Sequence, residues 1–303
     1  LNTGKPLLTK GTGAGDFFGF FPYEGHWAAF AILWTCACIS MALLTTRYDD
    51  SPPFIASTGP WYLTGGTLLG ASAFLVEARW PAVFLMLAYA TMMLLFAVNL
   101  LSAKRDPNRK SIASCCGLIG IATFASGIFR IFQHEADRLV GNSLKQAAWE
   151  MFLDRPWFGW GMDSFGFLLP FYNNDLLMEN NYERAGSDAL QFLAEIGIFG
   201  LIPPLLLLSF LIGRYLRGRH NIQLTNQFLT GLGAVIILAF FDSPFMAPAV
   251  FYSFVVLLFV ALRWADISRN RADEVDAPRP SLVTPQSLRR IPFHTAPRND
   301  KLK

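Results

Sequence analysis

Charge is what this chain of 303 residues lacks over most of its length. Only 16% of the residues are Asp, Glu, Lys or Arg, against about 25% in ordinary soluble domains. The shortage is concentrated. Seven stretches hold no charged residue: 27–46, 51–76, 80–103, 111–129, 196–213, 221–241 and 243–262. Their apolar residues run on without alternation, which excludes a transmembrane β-barrel. Each stretch is about as long as the ~20 residues a helix needs to cross the hydrocarbon core. A helix alone then satisfies the backbone polar groups in lipid. Cysteine chemistry is lacking too. Cys36, Cys38, Cys115 and Cys116 all fall inside these stretches, and none has a His or acidic partner at metal-ligand spacing. They read as small apolar filling residues. The first twenty-five residues lack a signal-peptide pattern, and the chain starts at Leu1. The sequence is expected to be the C-terminal part of a longer protein with more spans upstream.

The fold class that follows is all-α: a polytopic helical membrane protein, with about seven transmembrane helices and a long outer loop carrying a surface helix. Residues 1–25 form an outer N-terminal segment and 26–132 the first four helices. Residues 133–187 make the loop, 188–264 the last three helices, and 265–303 a disordered tail that is Pro-rich from Asp273.

Basic residues orient the path. Lys104, Arg105, Arg109 and Lys110 lie in one connection, and Arg214, Arg217 and Arg219 in another. The tail carries Arg263, Arg269, Arg271, Arg279, Arg289, Arg290, Arg298, Lys301 and Lys303. Seven alternating spans put all three groups on one face, the cytoplasmic one. The connection with Arg47, Asp49 and Asp50 does not vote. Segment 133–187, with eight acids against Arg138, Lys145, Arg155 and Arg184, then faces outward.

That segment is too long for a mere connection and reads as a functional loop. Leu139, Leu144, Ala147, Ala148, Met151 and Phe152 recur at helical spacing. They make one apolar face of a short helix, expected on the membrane surface with Lys145 and Glu150 toward water. Pro156 stops it. The run from Trp157 through Gly159, Trp160 and Gly161 to Gly166 reads as a tight aromatic turn, either re-entrant or lining a substrate groove. Asp188, Gln191 and Glu195 then share one face of the next helix. Asp188 suits a helix start. Glu195, a turn deeper, is an ionisable group in a costly place that calls for a polar partner or a function.

The run Asp154-Arg155-Pro156-Trp157-Phe158-Gly159-Trp160-Gly161, followed by Asp188-Ala189-Leu190-Gln191-Phe192-Leu193-Ala194-Glu195-Ile196-Gly197-Ile198-Phe199-Gly200, resembles the O-antigen ligase and polymerase family. The element Phe20–Phe30, with His26 and Trp27, and the late Phe241-Asp242-Ser243-Pro244 hairpin are similar to other family motifs. The resemblance covers most of 18–262. It implies transfer of a glycan from a polyprenyl diphosphate carrier to an acceptor, outside the bacterial inner membrane. The acceptor is lipid A-core in ligases and a growing glycan in polymerases. The outer loop becomes periplasmic and the tail cytoplasmic. No cofactor, metal or nucleotide sugar is implied, and the expected partners include membrane lipids but no nucleic acid.

A diphosphate leaving group needs cations, and an acceptor hydroxyl needs a base. The catalytic candidates are Glu195, Asp188 and His26. The substrate-binding candidates are Arg138, Lys145, Arg184, Arg130 and Trp160. Two departures stand out: the family's His falls on Gly186, and its Arg near Gly141. Interfacial snorkelling is the alternative for Arg130, an interfacial placement for His26, and capping for Asp242. The competing functions are a membrane transporter and a non-catalytic protein of envelope assembly.

Overall fold

The computed structural model describes residues 21, 23–45, 54–102, 109–132, 138–172, 184–216 and 223–276. Among them the regular elements are all helices: α1 (Glu24–Thr45), α2 (Gly59–Ala71), α3 (Arg79–Ser102), α4 (Arg109–Ile131), α5 (Arg138–Asp154), α6 (Phe165–Leu168), α7 (Asp188–Leu216), α8 (Gln223–Leu238) and α9 (Pro248–Asp276). Single 3-10 turns follow at Phe54–Ala56, Ser72–Leu75, Leu169–Phe171 and Pro244–Met246.

Five helices are long and apolar enough to cross a membrane: α1, α3, α4, α7 and α9. The chain is a polytopic helical membrane protein. Two of the seven expected spans are shorter than their charge-free stretches. α2 has 13 residues and passes into the Ser72–Leu75 turn, reaching about 27 Å in all. α8 has 16 residues, or about 24 Å. It stops early because the chain unwinds at 239–243 to receive the start of α7. There Ala189 N donates to Ala239 O (3.1 Å) and Asp188 N to Asp242 O (3.2 Å). α9 departs the other way. The tail expected from residue 265 is helical as far as Asp276, because no Pro or Gly interrupts it before Pro278 and Arg269 ties it to the Tyr215 carbonyl.

The helices run up and down. At one end, the Glu24 carboxylate accepts from the amides of Glu77 (2.6 Å) and Ala78. Arg130 donates to the carbonyls of Val76 and Glu77, and Arg79 to that of Ile131. This end therefore gathers the start of α1, the α2–α3 link, the end of α4, the start of α7 and the α8–α9 link. At the other end, Gln223 donates to Asn99 (2.7 Å) and Tyr215 to Asn226 (2.6 Å). The main core lies among α1, α3, α8 and α9, around Ile32, Ile39, Met92, Phe96 and Leu238. α7 stands at its margin, with Leu205, Leu206, Leu207 and Phe210 exposed as lipid-facing residues are.

Outside the spans, α5 builds a second small core. Leu144, Ala147, Ala148 and Met151 pack against Phe165, Leu169, Ala185 and Ala194. The apolar face expected to lie on the bilayer is thus turned inward onto α6 and α7. Each large side chain there contributes roughly 1.5–3 kcal/mol. Lys145, expected toward water, instead donates to the Phe241 carbonyl (3.1 Å).

Candidate functional site

Two glycines lock segment 138–172 onto α7. Gly197 has φ 65° and ψ −174°, so the helix breaks there. Gly159 also has φ 65°. The turn 156–161 docks against the break backbone to backbone. Trp160 N donates to Ala194 O (3.1 Å), Gly161 N to Glu195 O (2.8 Å), Ile198 N to Pro156 O (2.9 Å) and Phe199 N to Trp157 O (3.1 Å). The break frees these helical groups, and the turn satisfies them. A Cβ on Gly159 would lie 2.4 Å from the Glu195 carbonyl, and one on Gly197 2.6 Å from the Trp157 carbonyl. No side chain fits between the two strands of backbone.

Glu195 serves the same joint. It is 3% exposed. Its Oε2 accepts from Asp163 N (3.0 Å), and its Oε1 from Phe165 N (3.4 Å) and Gln191 Nε2 (3.0 Å). Both oxygens are occupied, so the carboxylate fastens the start of α6 to α7. Trp160 is similarly engaged. Its indole N–H donates to Met151 O (2.9 Å), and the Arg155 guanidinium lies 3.9 Å over its ring.

A buried polar cluster lies beside this joint, where α1, α7 and the α8–α9 link converge. Asp188 is 0% exposed; its Oδ2 accepts from Phe245 N (2.6 Å), while Oδ1 has no protein partner. His26 is 1% exposed; its ring lies within reach of the Ser243 backbone carbonyl, but neither nitrogen makes a well-formed hydrogen bond. Ser243 Oγ is also buried and unpartnered. The Asp242 carboxylate accepts from Ser243 N (2.8 Å) and faces Tyr23 and Gly25. Ser187 Oγ reaches the carbonyls of Ala239 and Phe240 (3.2 and 3.1 Å). Unsatisfied buried polar groups cost free energy, so the cluster carries hydrogen-bonding capacity that a water or a hydroxyl group would relieve. Two cations flank it. Lys145 acts on Asp242, and the exposed Arg184 acts on His26 and Asp188.

The structure thus brings together His26, Asp188, Lys145 and Arg184. Glu195 lies two turns along α7 from Asp188, in the joint. Arg130 shares this end of the bundle, but its guanidinium holds the α2–α3 link. Arg138 opens α5, and its side chain lies outside the described residues. Gly186 has φ 67°, and open space surrounds the place of its absent Cβ; so does the space at Gly141. Asp242 and Ser243 were not among the sequence candidates. The signal for them was an acid between two apolar runs, where charge is costly. Among the described residues, no group of three or more His, Cys, Asp and Glu side chains is placed to share a metal ion.

Burial pushes the Asp242 carboxyl up to about 6 from its ordinary 3.8, against the pull of the Ser243 amide. The folded chain therefore retains a proton between those values that the unfolded chain gives up. The stabilisation is present at low pH and is lost as pH rises through about 6. Melting of the wild type should gain on that of Asp242→Asn as pH falls from about 7 to about 5. A difference that stays flat with pH would contradict the burial of this carboxyl.

The O-antigen ligase family profile matches residues 54–205, which include α5, the interlocking turn and the break in α7. No curated protein and no solved structure matches the chain. The match spans half of the sequence, and the structure is a helical membrane bundle, so the chain belongs to the O-antigen ligase family of membrane glycan-transfer proteins.

Proposed function

We propose that the chain transfers a glycan from a polyprenyl diphosphate carrier to lipid A-core or a growing glycan, at the periplasmic face of the bacterial inner membrane. The observation that carries this reading is the buried cluster of His26, Asp188 and Ser243, in which Asp188 Oδ1 and Ser243 Oγ have no protein partner, flanked by Lys145 and Arg184. Arg184 and Lys145 hold the diphosphate as it departs, Arg184 through its planar fork of donors. Asp188 Oδ1, with no donor of its own, takes the proton of the acceptor hydroxyl. His26 orients that hydroxyl. Glu195, with both oxygens engaged, holds the turn that borders the site. Arg130 fixes the α2–α3 link, and Trp160 braces the outer core beneath Arg155. Arg138 remains a carrier contact by its place at the start of α5.

Replacing Arg184 by Gln should weaken binding of the labelled carrier by roughly 1.5–3 kcal/mol, the worth of a hydrogen bond to a charged group. Undiminished binding in both Arg184→Gln and Lys145→Gln would remove the outer segment from carrier recognition.

The orientation rests on the basic groups at the end of the bundle away from the cluster. In a chain with its native cysteines replaced, Ser164→Cys should react with an impermeant thiol reagent in intact spheroplasts, and Lys110→Cys should not. The reverse pattern would place the site in the cytoplasm and defeat the reading.

A further inference from the structure

At the end of the bundle away from the polar cluster, α7 and α9 border a cleft of about 200 Å³. Its walls are Leu211, Arg214 and Tyr215 from α7, and Phe259, Leu262, Arg263 and Asp266 from α9. The charges are unbalanced. Arg214 meets Asp266 only at 3.8 Å, with both side chains well exposed, so the pair is weak. Arg263 makes no hydrogen bond or ion pair among the described residues, whereas the neighbouring Arg269 is spent on the Tyr215 carbonyl and ring. The cleft therefore keeps a net positive charge at its mouth. Below the mouth the walls are apolar and continue along both helices. Phe210 and Leu207 are exposed on α7, and Phe259 and Val256 on α9.

We infer that this cleft binds an anionic phospholipid of the leaflet at the basic end, with its phosphate between Arg214 and Arg263 and an acyl chain over Leu211, Phe259 and Leu262. A phosphodiester brings one negative charge to a site with two positive and one negative, which leaves the assembly neutral. Guanidinium groups suit phosphate oxygens through paired donors. A basic pocket between transmembrane helices is where lipid headgroups are held. The bilayer supplies the occupant, because the apolar side chains that continue the walls, Leu207, Phe210 and Val256, are exposed on helices long enough to cross a membrane. The inference does not depend on the glycan-transfer site, which lies at the opposite end.

The test uses the full-length protein in nanodiscs of phosphatidylcholine doped with phosphatidylglycerol. Native mass spectrometry reads the lipid retained after release. The wild type should retain phosphatidylglycerol over phosphatidylcholine. Arg214→Gln combined with Arg263→Gln should lower that preference on the order of tenfold, with carrier binding unchanged. Leu211→Trp, which fills the cleft and leaves both charges, should lower retention of the lipid by itself. Equal retention of the two lipids by the wild type would overturn the inference, as would undiminished retention in either variant. Displacement of the lipid by glycerol phosphate in solution would show a site for soluble anions, and would overturn it too.

Discussion

Gly159→Ala and Gly197→Ala are each expected to release segment 138–172 from α7. The added Cβ would lie 2.4 Å from the backbone of Glu195 in the first case and 2.6 Å from that of Trp157 in the second. Backbone atoms cannot swing aside as a flexible side chain does. Both residues also sit at φ 65°, which costs Ala roughly 1–2 kcal/mol before any contact is counted. Separating the strands would break four hydrogen bonds, each worth about 0.5–1.5 kcal/mol. The total loss should be about 3–5 kcal/mol or more, at the upper end for single substitutions. It should appear as protease cleavage within 138–172 and a lowered melting midpoint in nanodiscs. Gly141→Ala is the control. Nothing lies within 4 Å of its Cβ position, and it sits inside α5, where Ala is the better helix former. An unchanged melting profile for Gly159→Ala would contradict the interlock.

Asp188→Asn is expected to abolish most glycan transfer while leaving the fold in place. The variant keeps an oxygen for the Phe245 amide, so the contact between α7 and the α8–α9 link survives. What it loses is the second oxygen, the one without a protein donor. Loss of a positioned base should cost about 10²–10⁴ in rate. Glu195→Gln supplies the contrast. It disturbs three donors at the joint but removes no free acceptor, so transfer should fall less than about tenfold, with a lower melting midpoint. If Glu195→Gln were the dead variant and Asp188→Asn the active one, the assignment of the base would be reversed.

The helical bundle was legible because charge-free runs of twenty residues have few other physical outcomes. The shortness of α2 and α8 was not, because hydropathy does not register where tertiary contacts unwind a helix, as at 239–243. The spacing of Asp188, Gln191 and Glu195 correctly put them on one face. It left their different fates hidden, since those depend on partners thirty to sixty residues away: Asp163 and Phe165 for Glu195, Phe245 for Asp188. Gly159 was legible as part of a tight turn, and a glycine at 197 as a place for close helix contact or a local kink, which is where α7 breaks. Their meaning is mutual, and only the approach of the two backbones displays it. Capping stood as an alternative for the motif residue Asp242 because its burial comes from α1, far off in the sequence. Lys145 drew notice as a cation in an acidic loop, yet its helical phase suggested water, and the Phe241 carbonyl takes it instead.

The most direct measurement is turnover by the full-length protein in nanodiscs, supplied with a labelled polyprenyl diphosphate glycan and an acceptor. Free polyprenyl diphosphate and glycosylated acceptor should appear together, in equal amounts and without nucleotide sugar, and both should vanish in Asp188→Asn while the carrier still binds. Carrier binding without either product in the wild type would contradict transfer and leave a protein that only holds or moves the carrier.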